Sequence, residues 1–252
     1  MDEADQGAAE TEHAHRRVGL RAPRGRVARQ LARRHRRERI IGVLIAVLGV
    51  AVLIGFYIGF LTGGPTPYRP PSANGRSVDL TLQTVAAVGS KLSPNKNWVS
   101  YLVRENGVWH RSTVWTLPAN TLVHVTVYNF DGQSGLRNPF LAQARGLVGG
   151  TFAINGKSTS TIDPDAASHT FAIPSLGVIV PILGIADDAP HQCDYAPCPM
   201  SNAHETITFT FRTGKKGHYR WQCFVPCAAG FVYGFGGPMQ TVGYMDGYVN
   251  VV

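Results

Sequence analysis

A run of twenty-two residues without a charged side chain, residues 40–61, constrains this chain more than any other feature of its sequence. At about 1.5 Å per residue, a helix of this length spans a hydrocarbon layer of about 30 Å. The run lacks the polar face that a core helix would show, and the "FLTGGPTP" at its end makes a poor signal-peptide cleavage site. We therefore predict one transmembrane helix over residues 40–62, in contact with the lipid bilayer.

Basic residues cluster on one side of this predicted helix. Residues 1–39 carry eleven Arg against six acidic side chains, which is +5 of the formal net charge of +8. The positive-inside rule then places this segment, which we predict to be disordered, in the cytoplasm and residues 63–252 outside, as a single-pass plasma-membrane protein. Because the membrane accounts for the arginines, we predict no binding to nucleic acid. The arginines nearest the run are Arg33, Arg34, Arg36, Arg37 and Arg39.

The sequence after the helix predicts a short tether and one all-β domain. Residues 63–76 are rich in Pro and Gly, as linkers are, so the folded domain is predicted over residues 77–252. Eight segments have strand length and composition, and several alternate between apolar and polar side chains. We predict an antiparallel β-sandwich with Greek-key connections. The eight segments are 78–85, 98–104, 108–115, 121–130, 168–173, 205–212, 217–223 and 244–252.

All four cysteines lie in the region predicted to be outside the cytoplasm, where disulfides persist. Cys193 and Cys198 lie in a Pro-rich segment with four residues between them, and we predict a local disulfide. Cys223 and Cys227 have three residues between them, a spacing that suits either a disulfide or a pair of metal ligands. The sequence leaves these two alternatives open.

His169 and Cys223 have the chemistry of a copper site. His169 lies in the predicted strand "SHTFAI", and Cys223 ends "GHYRWQC", where it shares a face with Trp221. Blue-copper sites combine a thiolate with imidazoles and often with a weak axial methionine. The alternative for His169 is a buried imidazole that is hydrogen-bonded to the backbone.

Three segments, "SHTFAIPSLGV", "GHYRWQCFVPC" and "YMDGYVNVV", occur in this order in the second half of the chain. Over residues 120–252 they resemble the cupredoxin family, most closely the copper-binding domain of cytochrome c oxidase subunit II. The resemblance implies a cupredoxin-like Greek-key β-sandwich, a copper cofactor and a role in electron transfer. It also implies a respiratory membrane complex as partner. The implied metal ligands are His169, Cys223, Cys227 and Met245.

The ligand loop departs from the pattern of that family. The family's second histidine and its methionine would fall at positions 231 and 234, which hold Phe231 and Gly234, and no histidine follows His218. A methionine ligand must then be Met239 or, as we predict, Met245. His124 and His218 are predicted to face solvent, whereas His191 lies in an irregular segment that could fold back to the site. We therefore predict a degenerate site for one copper ion or none.

Three functions fit these features. The first is electron transfer, similar to that of oxidase subunit II, within an oxidase-like complex. The second is a carrier of Cu(I), and the third is a metal-free scaffold that binds another envelope protein or helps assembly. The sequence has neither Gly-x-Ser-x-Gly nor His-Glu-x-x-His, so we expect no catalysis by the chain alone.

Overall fold

The computed structural model describes residues 25–62, 67–70, 72–73, 77–227 and 237–252. The chain divides into two compact units, Met1–Thr62 and Gly63–Val252. The first contains one helix, and the second contains the β-strands. The fold class predicted from the sequence, an all-β sandwich preceded by one apolar helix, is confirmed.

Helix α1 runs over Arg26–Thr62 and contains the predicted apolar run. Within the stretch Arg33–Ile58, the most apolar window of 18 residues has a mean hydropathy of 2.8 and no buried residue, so α1 is a candidate membrane span. The prediction of disorder is wrong for residues 26–39, because the helix begins fourteen residues before the apolar run. Seven of these fourteen residues are Arg, which has high helix propensity, and the stretch contains no Gly or Pro. Residues 1–24 lie outside the described part of the chain.

The described part of the second unit contains thirteen strands in two sheets. The first sheet has the order β4-β3-β2-β6-β11-β7-β8, with β1 paired to β2, and the second has the order β10-β9-β12-β13-β5. Most neighbours are antiparallel, but β2 pairs with β6 and β5 pairs with β13 in parallel. The strands are β1 Ser72–Ala73, β2 Ser77–Val85, β3 Ser100–Glu105, β4 Val108–His110, β5 Val114–Leu117, β6 Leu122–Asn129, β7 Phe152–Ile154, β8 Lys157–Thr159, β9 Ala167–Ile173, β10 Val178–Leu183, β11 Glu205–Arg212, β12 Gly217–Gln222 and β13 Asp246–Val251.

The main core lies between the two sheets and follows the alternation of the sequence. On β6 and β11 every second side chain is apolar and buried, which gives each of these strands one face towards the core. From the second sheet, Trp115 and Trp221 stack with their ring centroids 4.7 Å apart, and Phe171 stacks on both. These large rings fill the space between the sheets, and all three are fully buried.

Two predicted boundaries are wrong. Residues 108–115 were predicted to form one strand, but the chain leaves the first sheet after His110 and enters the second at Val114. The predicted tether also belongs partly to the domain: the Tyr68 N–H donates to the Val114 carbonyl at 2.8 Å, and the Tyr68 side chain is buried. An aromatic side chain beside an edge strand is stabilised by leaving water, so the domain begins before residue 77.

The structure also adds elements within two excursions that lie between the predicted strands, residues 131–167 and 183–203. β7 and β8 form a short hairpin inside residues 131–167 and extend the first sheet beyond β11. In the second excursion, Cys193 and Cys198 form the predicted disulfide, with their Cα atoms 5.8 Å apart. The side chain of Gln83 on β2 makes two hydrogen bonds of 2.9 Å to the backbone of Cys198, so this loop is held against the first sheet.

Candidate metal centre

Strands β9 and β12 are neighbours in the second sheet, and they bring the predicted ligands together. His169 lies in β9, Cys223 directly follows β12, and a bridge between Ala172 and Gln222 joins the two strands. Side chains alternate between the two faces of a strand, so Cys223, two positions after Trp221, is predicted to lie on the same side. Both side chains are fully buried, as this predicts. The position of the site therefore follows from the pairing of these two strands.

Three of the four predicted ligands lie close enough to bind one ion. The Cys223 and Cys227 sulfur atoms are 3.1 Å apart, and His169 Nδ1 is 4.0 Å from the Cys223 sulfur. One ligand atom from each of the three residues lies within 4.8 Å of the others, and all three are buried. Over the described ranges, this is the only such group of His, Cys, Asp or Glu side chains. Both cysteines are free in this structure, so of the two alternatives left open by the sequence the disulfide is not formed here.

The thioether beside this group belongs to Met239. Its sulfur lies 3.3 Å from the Cys227 sulfur. Met245, the methionine preferred from the sequence, is fully buried in the core, and its hydrogen bonds to Cys223 and Pro238 run through the backbone. Residues 228–236, which include the departures Phe231 and Gly234, lie outside the described residues.

The backbone around Thr170 positions the Cys223 sulfur. The Thr170 N–H donates to this sulfur at 3.4 Å, and the Phe224 N–H donates to the Thr170 hydroxyl oxygen at 2.8 Å. The Cys223 N–H in turn donates to the Met245 carbonyl at 3.0 Å. These bonds hold the chain on both sides of Cys223 and fix the position of its sulfur.

Asp131 is the site residue that the sequence analysis missed. Its carboxylate lies 2.9 Å from His169 Nε2, on the side of the ring away from the sulfur atoms. The sequence shows only an acidic residue at the start of a Gly-rich segment directly after β6. Such a residue predicts a turn, and nothing in its spacing points to a histidine thirty-eight residues later.

The pKa values of His169, Cys223 and Cys227 are shifted by the hydrogen bonds within the cluster. Burial lowers the pKa of His169, but its hydrogen bonds to Asp131 and Cys223 outweigh burial and raise this pKa to about 9. Burial raises the pKa of Cys223, yet hydrogen bonds from Cys227 and His169 hold it well below the usual thiol value. The pKa of Cys227 is raised because its thiol donates to Cys223 and is itself buried. These directions favour a charged imidazolium between the Asp131 carboxylate and the Cys223 thiolate, with the Cys227 thiol beside them.

Asp131, His169 and Cys223 have the order of a nucleophilic triad, but their burial excludes that chemistry. A nucleophile must be reached by its substrate, whereas His169 and Cys223 are both 0% exposed. Two sulfurs of cysteine, one thioether and one imidazole instead form a donor set that suits a soft metal ion such as copper. The residues present therefore fit the copper that the sequence predicts.

The other histidines stay outside the cluster. His124 and His218 are exposed, as predicted, and each hydrogen-bonds to a side chain on the neighbouring strand. His191 is also exposed and is not part of the group. Within the residues that the structure describes, His169 is the only imidazole of the site.

The free energy of unfolding of the copper-free chain should vary little between pH 6.5 and about 9. His169, whose pKa is raised from 6.5 to about 9, stabilises the fold fully below pH 6.5 and loses this contribution as the pH rises to 9. Cys223, whose pKa is lowered from 9.0, contributes fully above pH 9.0 and less as the pH falls. The two slopes cancel, because the folded state binds one extra proton on His169 and one fewer on Cys223.

Denaturant titrations of the full-length chain in mild detergent, followed by tryptophan fluorescence, measure this profile, because all four Trp lie in the second unit. Above pH 9 the stability should fall, since the raised pKa of Cys227 keeps its proton only in the folded state. If the free energy of unfolding instead fell steadily from pH 6.5 to about 9, His169 would be charged beside a neutral Cys223 thiol.

Fold and site together define a β-sandwich with a buried, sulfur-rich cluster at the end of β12. No family model and no curated protein matches the chain. Solved structures of the copper protein rusticyanin do match. The protein from Thiobacillus ferrooxidans is 16% identical with a TM-score of 0.28, over 75% of this chain and 86% of that chain. A reduced rusticyanin solved by NMR is 18% identical with a TM-score of 0.30, over 76% and 84%. These similarities are distant, so the description of the fold rests on the sheets themselves.

Proposed function

We propose that this chain is a membrane-anchored protein whose β-sandwich lies outside the cytoplasm and binds one copper ion. The ligands are Cys223, Cys227, His169 and the thioether of Met239. The observation that carries the proposal is the convergence of three buried donors, His169, Cys223 and Cys227, with the partly buried thioether of Met239 beside them. The candidate span in α1 and the arginines before it support the anchoring and the orientation.

The function that we propose for this site is electron transfer, similar to that of oxidase subunit II. Bound copper supplies one-electron redox chemistry. The chain contributes hydrogen bonds that hold Cys223 and His169 in place, and rigid ligands reduce the rearrangement that accompanies a change of charge. A respiratory membrane complex or another envelope protein would be the electron-transfer partner.

The donor set favours a second candidate, a carrier of Cu(I). Thiolates and thioethers select Cu(I), whereas Cu(II) prefers nitrogen and oxygen ligands in tetragonal arrangements. The sequence has no histidine after His218, and the described cluster contains one imidazole. A site of this composition therefore stabilises Cu(I) relative to Cu(II), and Cu(I) is the form that a carrier would hold.

Titration of the full-length chain in detergent with Cu(I), against a competing chelator, tests the proposal. We expect one Cu(I) per chain and no spectrum of a two-copper centre. Met239→Leu should weaken binding because it removes a sulfur in contact with Cys227, whereas Met245→Leu should leave the affinity unchanged. If Met245→Leu weakened binding and Met239→Leu did not, Met245 would be the ligand, as predicted from the sequence.

Oxidation of the loaded chain separates the two functions. A thiolate-to-copper absorption band and a Cu(II) EPR signal that disappear again on reduction would support electron transfer. Loss of the ion on oxidation, with closure of a Cys223–Cys227 disulfide, would support the carrier. A chain that binds no copper in the reduced state would contradict both and leave the metal-free scaffold.

A further inference from the structure

The His169 ring lies between two groups that make different demands on its nitrogens. Nδ1 faces the Cys223 sulfur at 4.0 Å, and Nε2 faces the Asp131 carboxylate at 2.9 Å. A neutral imidazole has one N–H donor and one lone pair, and an ionised carboxylate only accepts. A proton on Nε2 therefore satisfies Asp131, and it leaves the Nδ1 lone pair directed at the sulfur atoms.

We propose that Asp131 is a positioning residue that keeps the His169 proton on Nε2 and thereby selects Nδ1 as the metal-binding atom. This inference rests on the proposed function. A carboxylate that hydrogen-bonds to a metal-binding imidazole fixes the orientation of the ring and makes the other nitrogen a stronger donor. The residues around Asp131 determine whether its carboxylate can do this.

The Asp131 carboxylate is itself held on two sides. One oxygen accepts from the Gly132 N–H at 2.8 Å, and the other faces His169. The Asp131 carbonyl accepts from the Ile185 N–H at 3.0 Å, which ties the loop to the end of β10. Because both the side chain and the backbone are fixed, the carboxylate cannot turn away from the ring without breaking several hydrogen bonds.

Asn129 anchors this loop to both sheets. Its amide N–H groups donate to the carbonyls of Asp131 at 3.0 Å and Leu183 at 2.7 Å. Its amide oxygen accepts from the hydroxyl of Thr84 on β2. Asn129 and Thr84 are fully buried, so this network is shielded from competing water.

Gly184 shows how closely the loop and β10 approach each other. A Cβ atom at Gly184 would lie 2.6 Å from the carbonyl carbon and oxygen of Gly132, closer than real Cβ contacts. The absence of a side chain therefore lets the segment after β10 pack directly on the residue next to Asp131. The arrangement from Thr84 to Asp131 is therefore held by hydrogen bonds and close packing within the chain.

The first experiment follows the His169 nitrogens by NMR in the isotopically labelled, copper-free full-length chain. In the neutral ring the proton should lie on Nε2, where it is hydrogen-bonded to Asp131, and Nδ1 should carry none. The same signal from Nε2–H should persist with Cu(I), which is diamagnetic. A neutral ring that keeps its proton on Nδ1 would overturn the inference, and this result does not depend on copper.

The second experiment compares Asp131→Asn with Asp79→Asn, the same change at an exposed position of β2. Asp131→Asn should weaken Cu(I) binding by at least about tenfold, because an amide is a weaker and ambiguous partner for Nε2. Asp79→Asn should not change the affinity. Equal affinities of the two variants would overturn the role of Asp131 while copper binding stands. If the unmodified chain binds no Cu(I), the proposed function fails, and the NMR result alone decides the role of Asp131.

Discussion

Replacing Gly247 with alanine should destabilise the β-sandwich by about 3–5 kcal/mol, a large part of the 5–15 kcal/mol that holds a typical domain folded. A Cβ atom at this position of β13 would lie 1.8 Å from the Thr113 carbonyl oxygen and 2.6 Å from the Trp221 indole nitrogen. Neither atom can move away freely, because one belongs to the backbone and the other to a fully buried ring.

The Trp221 indole explains why the glycine is needed. Its N–H crosses over Gly247, the residue paired with Trp221 on β13, and donates to the Thr113 carbonyl at 2.7 Å. A methyl group would displace the indole from this bond and from its stack with Trp115. The destabilisation therefore combines overpacking with a lost buried hydrogen bond.

Urea titrations of the full-length chain in detergent, followed by tryptophan fluorescence, measure the effect. Gly132→Ala is a matched control, because a Cβ there meets only the Asp187 carboxylate at 3.8 Å, an ordinary contact. A Gly247→Ala chain as stable as the control would show that the Trp221 indole does not lie across β13.

Strands with strict alternation were predicted well, because burial of one face leaves a period of two in the sequence. β6 and β11 follow the predicted segments within one residue at each end, and the parity of β12 placed Cys223 correctly. The break between β4 and β5 left no such signal. "VWHRSTVW" contains no Gly or Pro, and the two strands separate because Thr113 is held by bonds from Trp221 and Tyr248, which lie far away in the sequence.

Some residues of the candidate site were predicted from the sequence, and others were not. His169, Cys223 and Cys227 follow from residue type and strand position, since these residues carry the chemistry. Asp131 and Met239 depend on how loops return to the sheet, which a local pattern does not contain. The sequence favoured Met245 because it adjoins the last strand. Its backbone carbonyl accepts from the Cys223 N–H, and its side chain is as fully buried as those of His169 and Cys223, so its role as a ligand stays a prediction.

Cys223→Ser should abolish copper binding and leave the fold intact. The two side chains have nearly the same shape, and the serine oxygen can accept the hydrogen bond from the Thr170 N–H that the Cys223 sulfur now accepts. A serine hydroxyl is a hard donor that keeps its proton at neutral pH, so the site loses its central thiolate. Since removal of an outer-sphere partner alone costs about 10–100-fold, we expect a loss of Cu(I) affinity above about 100-fold.

His218→Ala is the control for this variant. His218 lies on the strand that leads to Cys223, but it is exposed, and its ring stacks on Tyr248 on the outer side of the sheet. The control should bind one Cu(I) as the unmodified chain does, while Cys223→Ser keeps a folded tryptophan spectrum and binds none. Strong binding that survives Cys223→Ser would place the ion elsewhere. Two copper ions per chain with a mixed-valence EPR signal would show that the loop after Cys227 completes a binuclear site without a second histidine.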